Sequence, residues 1–131
     1  MARPPAKELT ERELELMHVF WDRGELTAAE VRDALAESGL DRAYTTVATL
    51  VRILLDKNFL SQTNDEKPYR YRAARSREEV SRKLLGEVVE RVFRGSRETL
   101  LTRLFDHRRL TKREREALRK ILEQREGEGD A

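Results

Sequence analysis

The chain has 131 residues, of which 38% are hydrophobic and 40% are charged, and its formal net charge is +2. This length allows one domain, or a small domain with an accessory element, and the small apolar fraction suggests that a second subunit completes the core. The absence of cysteine excludes disulfides, a thiolate nucleophile and cysteine-based metal sites. Without a long apolar run or a basic-then-apolar leader, we expect a cytoplasmic protein with no membrane insertion.

The charge is distributed unevenly along the chain. Residues 1–40 carry five Lys/Arg and nine Asp/Glu, residues 41–75 carry seven and four, and residues 76–131 carry fifteen and twelve. A protein that binds a polyanion needs positive charge only where it makes contact. The local excess that begins after residue 40 therefore indicates a nucleic-acid contact there.

The first part of the chain predicts a flexible arm and two helices. Residues 1–8 contain two of the three prolines and form the arm. Thr10 and Thr27 each open a capping box, Thr-x-x-Glu, and so predict helix starts. Leu26 is expected to pair with a later hairpin. The predicted core stripe of the first helix comprises Leu14, Met17, Phe20 and Trp21.

Residues 41–57 predict an amphipathic third helix. Val47, Leu50, Val51 and Leu54 share the side that requires a core. Thr45, Thr49 and Arg52 lie on the other side, where short hydroxyls and a guanidinium can hydrogen-bond phosphates and base edges. This pattern predicts a recognition helix for the DNA major groove, with an ordinary solvent-exposed helix as the alternative.

The segments after this helix predict a β-hairpin. Phe59–Thr63 and Tyr69–Arg72 are the two strands, and the order helix, helix, helix, hairpin is that of a winged helix-turn-helix with a two- or three-stranded wing. Lys67 at the wing tip, with Arg70 and Arg72, is placed to contact phosphates. For the two arginines, a solubilising outer face is an equally good interpretation.

Residues 75–126 predict three further helices, with capping boxes at Ser76 and Thr111. Their apolar surface exceeds what a small winged helix can cover, so we expect a symmetric dimer; the alternative is that they fold back on the N-terminal domain. The predicted dimerisation residues are Val80, Leu84, Leu85, Val88, Val92, Phe93, Leu101, Leu104, Phe105, Leu118, Ile121 and Leu122. The fold class is thus mostly α (α+β), with a winged-helix domain at residues 9–74, a helical dimerisation domain at 75–126 and a disordered tail at 127–131.

Three segments, LTERELELMHVFWDRGELTAAEV, AYTTVATLVRILLDKNFL and YRYRA, resemble the penicillinase-repressor (BlaI/MecI/CopY) family of bacterial regulators over about residues 8–124. The resemblance implies a homodimeric repressor of antibiotic- or stress-response genes that binds inverted-repeat operators in double-stranded DNA. In some members a membrane sensor protease relieves repression by cutting the C-terminal part. The region of cleavage in those members corresponds here to the region near Arg103–Leu104. The absence of cysteine argues against the copper-responsive branch.

The resemblance also assigns positions in the third helix. The DNA-facing polar positions of the family correspond to Thr45, Thr46 and Thr49. Tyr44 matches an aromatic residue just before them, and Arg42 lies near the DNA backbone at the helix entry. Family members commonly have an arginine where this chain has Ile53, whereas here Arg52 precedes that position.

The sequence shows no nucleophile–base pair, metal cluster or glycine-rich phosphate loop. We therefore expect neither enzymatic activity nor a cofactor. The alternative to a DNA-binding repressor is a winged-helix module that binds other proteins and not DNA.

Overall fold

The structure, a computed structural model, describes residues 8–106 and 109–129 and divides into two compact units between Lys83 and Leu84. Predictions for residues 1–7, 107–108 and 130–131 lie outside the described residues. The helices are α1 (Glu11–Arg23), α2 (Ala28–Glu37), α3 (Tyr44–Asp56), α4 (Arg77–Arg91), α5 (Arg97–Leu104) and α6 (Lys112–Gly129). The strands are β1 (Leu26–Thr27), β2 (Leu60–Gln62) and β3 (Arg70–Ala73). The predicted α+β winged-helix class with C-terminal helices is confirmed.

The core of the first unit lies between α1, α2 and α3, with the sheet beside it. Each helix contributes one apolar stripe, as the 3.6-residue period of an amphipathic helix requires. The buried helix residues are Leu16, Met17, Phe20, Val31, Ala34, Leu35, Val47, Val51 and Leu54, and Leu26, Phe59 and Leu60 complete the core from the strands and the loop before β2. Leu50, which we also predicted to face the core, is only half-buried.

The predicted stripe of α1 was partly wrong. The buried positions are Glu13, Leu16, Met17 and Phe20, whereas Leu14 and Trp21 are half-buried. Glu13 is 2% exposed and occupies the first inward position of the stripe. Because this inward position is a glutamate, the apolar pattern of the sequence begins one residue later, at Leu14.

The antiparallel sheet has the strand order β1-β3-β2. Leu26 pairs with Tyr71, as we predicted for a strand that joins the later hairpin, and Leu60 pairs with Ala73. Side chains alternate between the two faces of a strand. Tyr71 and Ala73 therefore share a face with the buried Leu26 and Leu60, and the intervening Arg70 and Arg72 lie on the opposite face.

Capping explains the helix starts. At Thr10, Thr27 and Thr111 both halves of the capping box are present: the threonine hydroxyl accepts from the amide three residues later, and that glutamate accepts from the threonine amide. At Ser76 the hydroxyl accepts from the amide of Glu79. The amide of Gly24, with a φ of 88° that favours glycine, donates to Phe20 O and ends α1.

Two boundaries differ from the prediction. The first unit extends to Lys83 instead of ending at residue 74, because the first turns of α4 pack on it and Val80 is 7% exposed. Val80 therefore belongs to the core of the first unit, which corrects its assignment to a dimer interface. Helix α6 also continues into the predicted tail as far as Gly129, since no proline interrupts its backbone hydrogen bonds after residue 126.

Candidate nucleic-acid interface

Helix α3 presents a polar face opposite its buried stripe. It begins after Ala43, whose extended backbone (ψ 145°) turns the chain into the helix without a side-chain cap. Thr45, Thr49 and Arg52 are exposed on its outer side, and Thr46 is half-buried at the edge of that side. Small side chains over two turns allow the helix backbone to approach a groove closely.

The hydroxyl of Thr49 donates to the carbonyl oxygen of Thr45 at 2.9 Å. Its proton is therefore engaged within the helix, and its oxygen lone pairs remain as acceptors. In this rotamer Thr49 can accept a hydrogen bond from an amino group on a base edge, and its methyl group can contact an apolar surface such as the methyl of thymine.

A groove separates the start of α3 from the wing. The residues that line it are Thr27, Ala28, Ala29, Tyr44, Lys67, Pro68, Tyr69 and Tyr71. Tyr44 is 48% exposed at its edge. Burial, with the neighbouring phenols of Tyr44 and Tyr69, raises the pKa of Tyr71, so its hydroxyl remains a hydrogen-bond donor at neutral pH. The sequence prediction missed Tyr69 and Tyr71, although their alternation with the arginines already marked them as one face of the strand.

The loop between β2 and β3 forms the wing tip and is organised by Asn64. The Asn64 side chain donates to the carbonyl oxygens of Glu66 and Pro68 and accepts from the amide of Arg70. Lys67 is exposed there, but so are Asp65 and Glu66. The tip therefore has a local net charge of −1, and Lys67 is not part of a purely positive patch.

Arg70 is engaged by acidic residues of the same unit. Its guanidinium donates to Glu25 Oε2 at 2.9 Å and approaches Glu30 Oε1 at 3.5 Å. Hydrogen bonds from Thr63 and from Arg70 lower the pKa of Glu25, and the bond to Glu25 raises the pKa of Arg70. Arg72, on the same face of β3, is exposed and has no ion pair within 4 Å among the described residues.

Arg42 is also ion-paired. Its guanidinium contacts both carboxylate oxygens of Glu15, the closer at 2.9 Å, and the two side chains are 23% and 20% exposed. This pair joins the turn before α3 to α1. Arg42 is thus held at the helix entry, where we expected it, but its charge is neutralised by Glu15.

The sequence model of the penicillinase repressor family matches residues 9–124. The chain belongs to the penicillinase repressor family. It is 32% identical over 116 residues to the transcriptional regulator BlaI of Mycobacterium tuberculosis (strain H37Rv), an alignment that covers 87% of this chain and 82% of BlaI. It is 24% identical over 115 residues to the methicillin resistance regulatory protein MecI of Staphylococcus aureus (strain N315), covering 88% and 93% of the two chains.

Membership of this family makes the chain a transcriptional regulator of the repressor class. The family is one of transcriptional repressors and not of enzymes. The suspected resemblance is confirmed. Within residues 8–106 and 109–129, no helix combines the length and apolar character needed to cross a membrane.

The second unit of this repressor leaves apolar side chains uncovered. None of its described residues is buried, and α5 has no buried side chain at all. Leu84, Phe93, Phe105 and Leu118 are half-buried. The large apolar residues exposed by 40–68% are Leu85, Val88, Val92, Leu101, Leu104, Ile121 and Leu122.

Proposed function

We propose that the protein is a homodimeric repressor that binds an inverted-repeat operator in double-stranded DNA. The observation that carries this proposal is the outer face of α3, where exposed hydroxyls and Arg52 stand opposite a fully buried stripe on a winged helix. Such a face can enter the major groove while the unit behind it stays folded. The names of BlaI and MecI, both regulators, support the same role.

In this proposal α3 reads the sequence. Thr45, Thr46 and Thr49 contact base edges or backbone, and Arg52 is long enough for a bidentate contact to guanine. Tyr44 lies where the helix enters the groove and faces the strand that runs past the wing. Ile53, where the family commonly has arginine, is half-buried and leaves Arg52 as the guanidinium of this helix.

The wing follows the sugar–phosphate backbone beside α3. Lys67 and Arg72 supply positive charge to phosphates, and the hydroxyls of Tyr69 and Tyr71 can donate to phosphate oxygens in the groove. Arg42 and Arg70 are proposed as weaker contacts, because each must share its guanidinium with a carboxylate that already neutralises it.

Dimerisation through the second unit completes the proposal. Burying a leucine or valine that is exposed in the single chain stabilises an assembly by about 1.5–3 kcal/mol. Seven large aliphatic residues are exposed on or directly after three helices, and a second copy is the simplest cover for them. The interface would comprise Leu84, Leu85, Val88, Val92, Phe93, Leu101, Leu104, Phe105, Leu118, Ile121 and Leu122. A two-fold axis would place two copies of α3 about one DNA turn, or a multiple, apart.

The regulated genes and the signal follow from the relatives alone. The name of MecI refers to methicillin resistance, which favours antibiotic- or stress-response genes as targets. The family resemblance described above adds a membrane sensor protease as a proposed partner that relieves repression. The protein would act in the cytoplasm, where the DNA is. Cleavage of the purified chain by such a protease in the region near Arg103–Leu104 would test the partner.

Sequencing the duplexes that the protein selects from a random pool tests the main proposal. Recovery of an inverted repeat supports both DNA reading and the dimer, and recovery of no common motif contradicts the proposal. The alternative, a module that binds proteins and not DNA, is favoured by the neutralised Arg42 and Arg70 and by the acidic wing tip. It predicts weak retention on random duplex DNA at low salt, whereas a repressor is retained and elutes as salt rises.

A further inference from the structure

The exposed face of α3 has two flanks. At 100° per residue, Tyr44 lies on the flank beside the wing groove, and Thr46 and Leu50 lie on the flank farthest from it. A shallow depression on this second flank is shared with the start of α1. Its lining residues are Arg12, Thr45, Thr46, Thr49 and Leu50.

Arg12 is an available cation at this depression. Its side chain is exposed and has no hydrogen bond or ion pair to another residue in the described ranges. Two acids that follow it on α1 are already matched, Glu13 by Lys57 and Glu15 by Arg42. Glu11, its neighbour in sequence, points about 100° away around the helix.

The major groove is bordered by two phosphate strands, and a helix inserted into it lies between them. The wing can reach only the strand on its own side of α3. The other flank of α3 carries Thr46, Leu50 and Ile53, none of which is charged. A cation for the second strand must therefore come from another element.

We propose that Arg12 binds a backbone phosphate on the groove wall opposite the wing. The proposal rests on the DNA-binding function proposed above. It makes the first turn of α1 part of the DNA interface, and α3 is then held between two phosphate contacts, the wing on one side and Arg12 on the other. The sequence alone carries no signal for this role, because Arg12 lies in the acidic segment of residues 1–40.

The test compares Arg12→Gln with Arg23→Gln, in which the same charge is removed from the other end of α1, where Arg23 pairs with Glu37. Binding of the full-length protein to a mixed-sequence duplex is measured by fluorescence anisotropy across a salt series. Each phosphate contact contributes about 0.9 to the slope of log K against log salt. If both subunits of a dimer bind, Arg12→Gln removes two contacts and lowers the slope by about 1.8. When salt rises from about 50 to about 200 mM, the affinity of the wild type should therefore fall about 12-fold more than that of Arg12→Gln.

Arg12→Lys should restore the slope, because a phosphate contact requires charge and reach and not the guanidinium itself. Arg23→Gln should keep the wild-type slope. The proposal is overturned if the wild type binds and Arg12→Gln keeps its slope, or if Arg12→Gln and Arg23→Gln lower the slope equally. If the wild type itself shows no salt-dependent binding, the result contradicts the proposed DNA-binding function as a whole. A failure of the Arg12 contact alone would leave the binding of the wild type intact.

Discussion

The ammonium of Lys57 lies 2.8 Å from Glu13 Oε1, and the two side chains are 5% and 3% exposed. Glu13 is in the first turn of α1, and Lys57 follows the last residue of α3. The same carboxylate accepts from the amide of Thr10, and Lys57 also donates to the carbonyl of Glu8. One buried ion pair therefore joins the start of the first helix to the end of the proposed recognition helix.

We expect Glu13→Gln to destabilise the protein by about 3 kcal/mol, because it leaves the ammonium of Lys57 buried without a counter-charge. Urea unfolding followed by circular dichroism measures this loss. The double variant Glu13→Gln/Lys57→Met should recover most of it, since the unpaired charge is then removed. Equal stability of the single and double variants would show that the unpaired charge of Lys57 does not cause the loss.

The same pair sets an acid limit on stability. Burial alone would raise the pKa of Glu13, but hydrogen bonds from Lys57 and Thr10 and the charge of Lys57 outweigh it, and the pKa is lowered below 4.5. A lowered folded-state pKa contributes stability above the unfolded value, and this contribution is lost as the pH falls through the folded value. The difference in free energy of unfolding between the wild type and Glu13→Gln should accordingly become smaller below about pH 4.

Local sequence signals predicted the elements of the fold well. The capping boxes at Thr10, Thr27 and Thr111 marked helix starts, and the pairing of Leu26 with the hairpin followed from chain order. Each capping box depends on two residues three positions apart, and the pairing of Leu26 follows from the order of elements in a winged helix. Neither feature requires knowledge of which side chains meet in the folded chain.

Ion pairs between distant segments could not be predicted in this way. Arg42 meets Glu15 across 27 positions, and Arg70 meets Glu25 across 45. Both arginines read as free cations in the sequence because their partners lie in the acidic segment before residue 41. The inward position of Glu13 was missed for the same reason, since its partner Lys57 is 44 positions away.

The contrast between the two wing arginines gives a direct prediction. Arg72→Gln should reduce the salt slope by about 0.9 per bound subunit, because its charge is not matched by an ion pair. Arg70→Gln should change the slope much less, since Glu25 and Glu30 already offset its charge. Measuring both slopes on one duplex checks this, with chemical denaturation as the control for folding. An equal loss in both variants would mean that Arg70 leaves its carboxylates to bind phosphate.

The acidic residues of the wing tip provide a test of where the wing lies. If the tip approaches the DNA backbone, Asp65→Asn and Glu66→Gln should strengthen binding several-fold at low salt, because each removes a like-charge repulsion. Glu98→Gln, in the second unit, is the matched control and should have little effect. Electrophoretic mobility shifts at two salt concentrations measure the change. Unchanged affinity in both wing variants would place the tip away from the DNA.

The exposed face of α5 tests the dimer. Leu104 is 64% exposed in the single chain, so Leu104→Asp should leave the protomer folded. An aspartate in an apolar interface should weaken dimerisation by at least about 100-fold. Thr102→Asp introduces the same charge on the same helix and is the control. Sedimentation velocity at micromolar concentration should show monomers for Leu104→Asp only, and a wild type that is already monomeric would rule out the proposed interface.

Thr49 can read DNA through its hydroxyl or through its methyl group, and the two possibilities predict opposite outcomes for two variants. Thr49→Val keeps the branched shape and loses the oxygen, whereas Thr49→Ser keeps the oxygen and loses the methyl. If the oxygen accepts from a base amino group, Thr49→Val should lose about 1 kcal/mol of discrimination at one base pair and Thr49→Ser should retain it. If the methyl packs on thymine, the pattern reverses.

Selection of operators from a random pool by each variant, followed by sequencing, measures this discrimination position by position. Thr49→Ala removes both groups and should relax the preference at that position under either mechanism. The bond from the Thr49 hydroxyl to the carbonyl of Thr45 contributes little to this result, because the carbonyl keeps its helical partner in every variant. If all three variants select the same motif as the wild type, Thr49 is a solvent-exposed helix residue, and base reading falls to Thr45, Thr46 and Arg52.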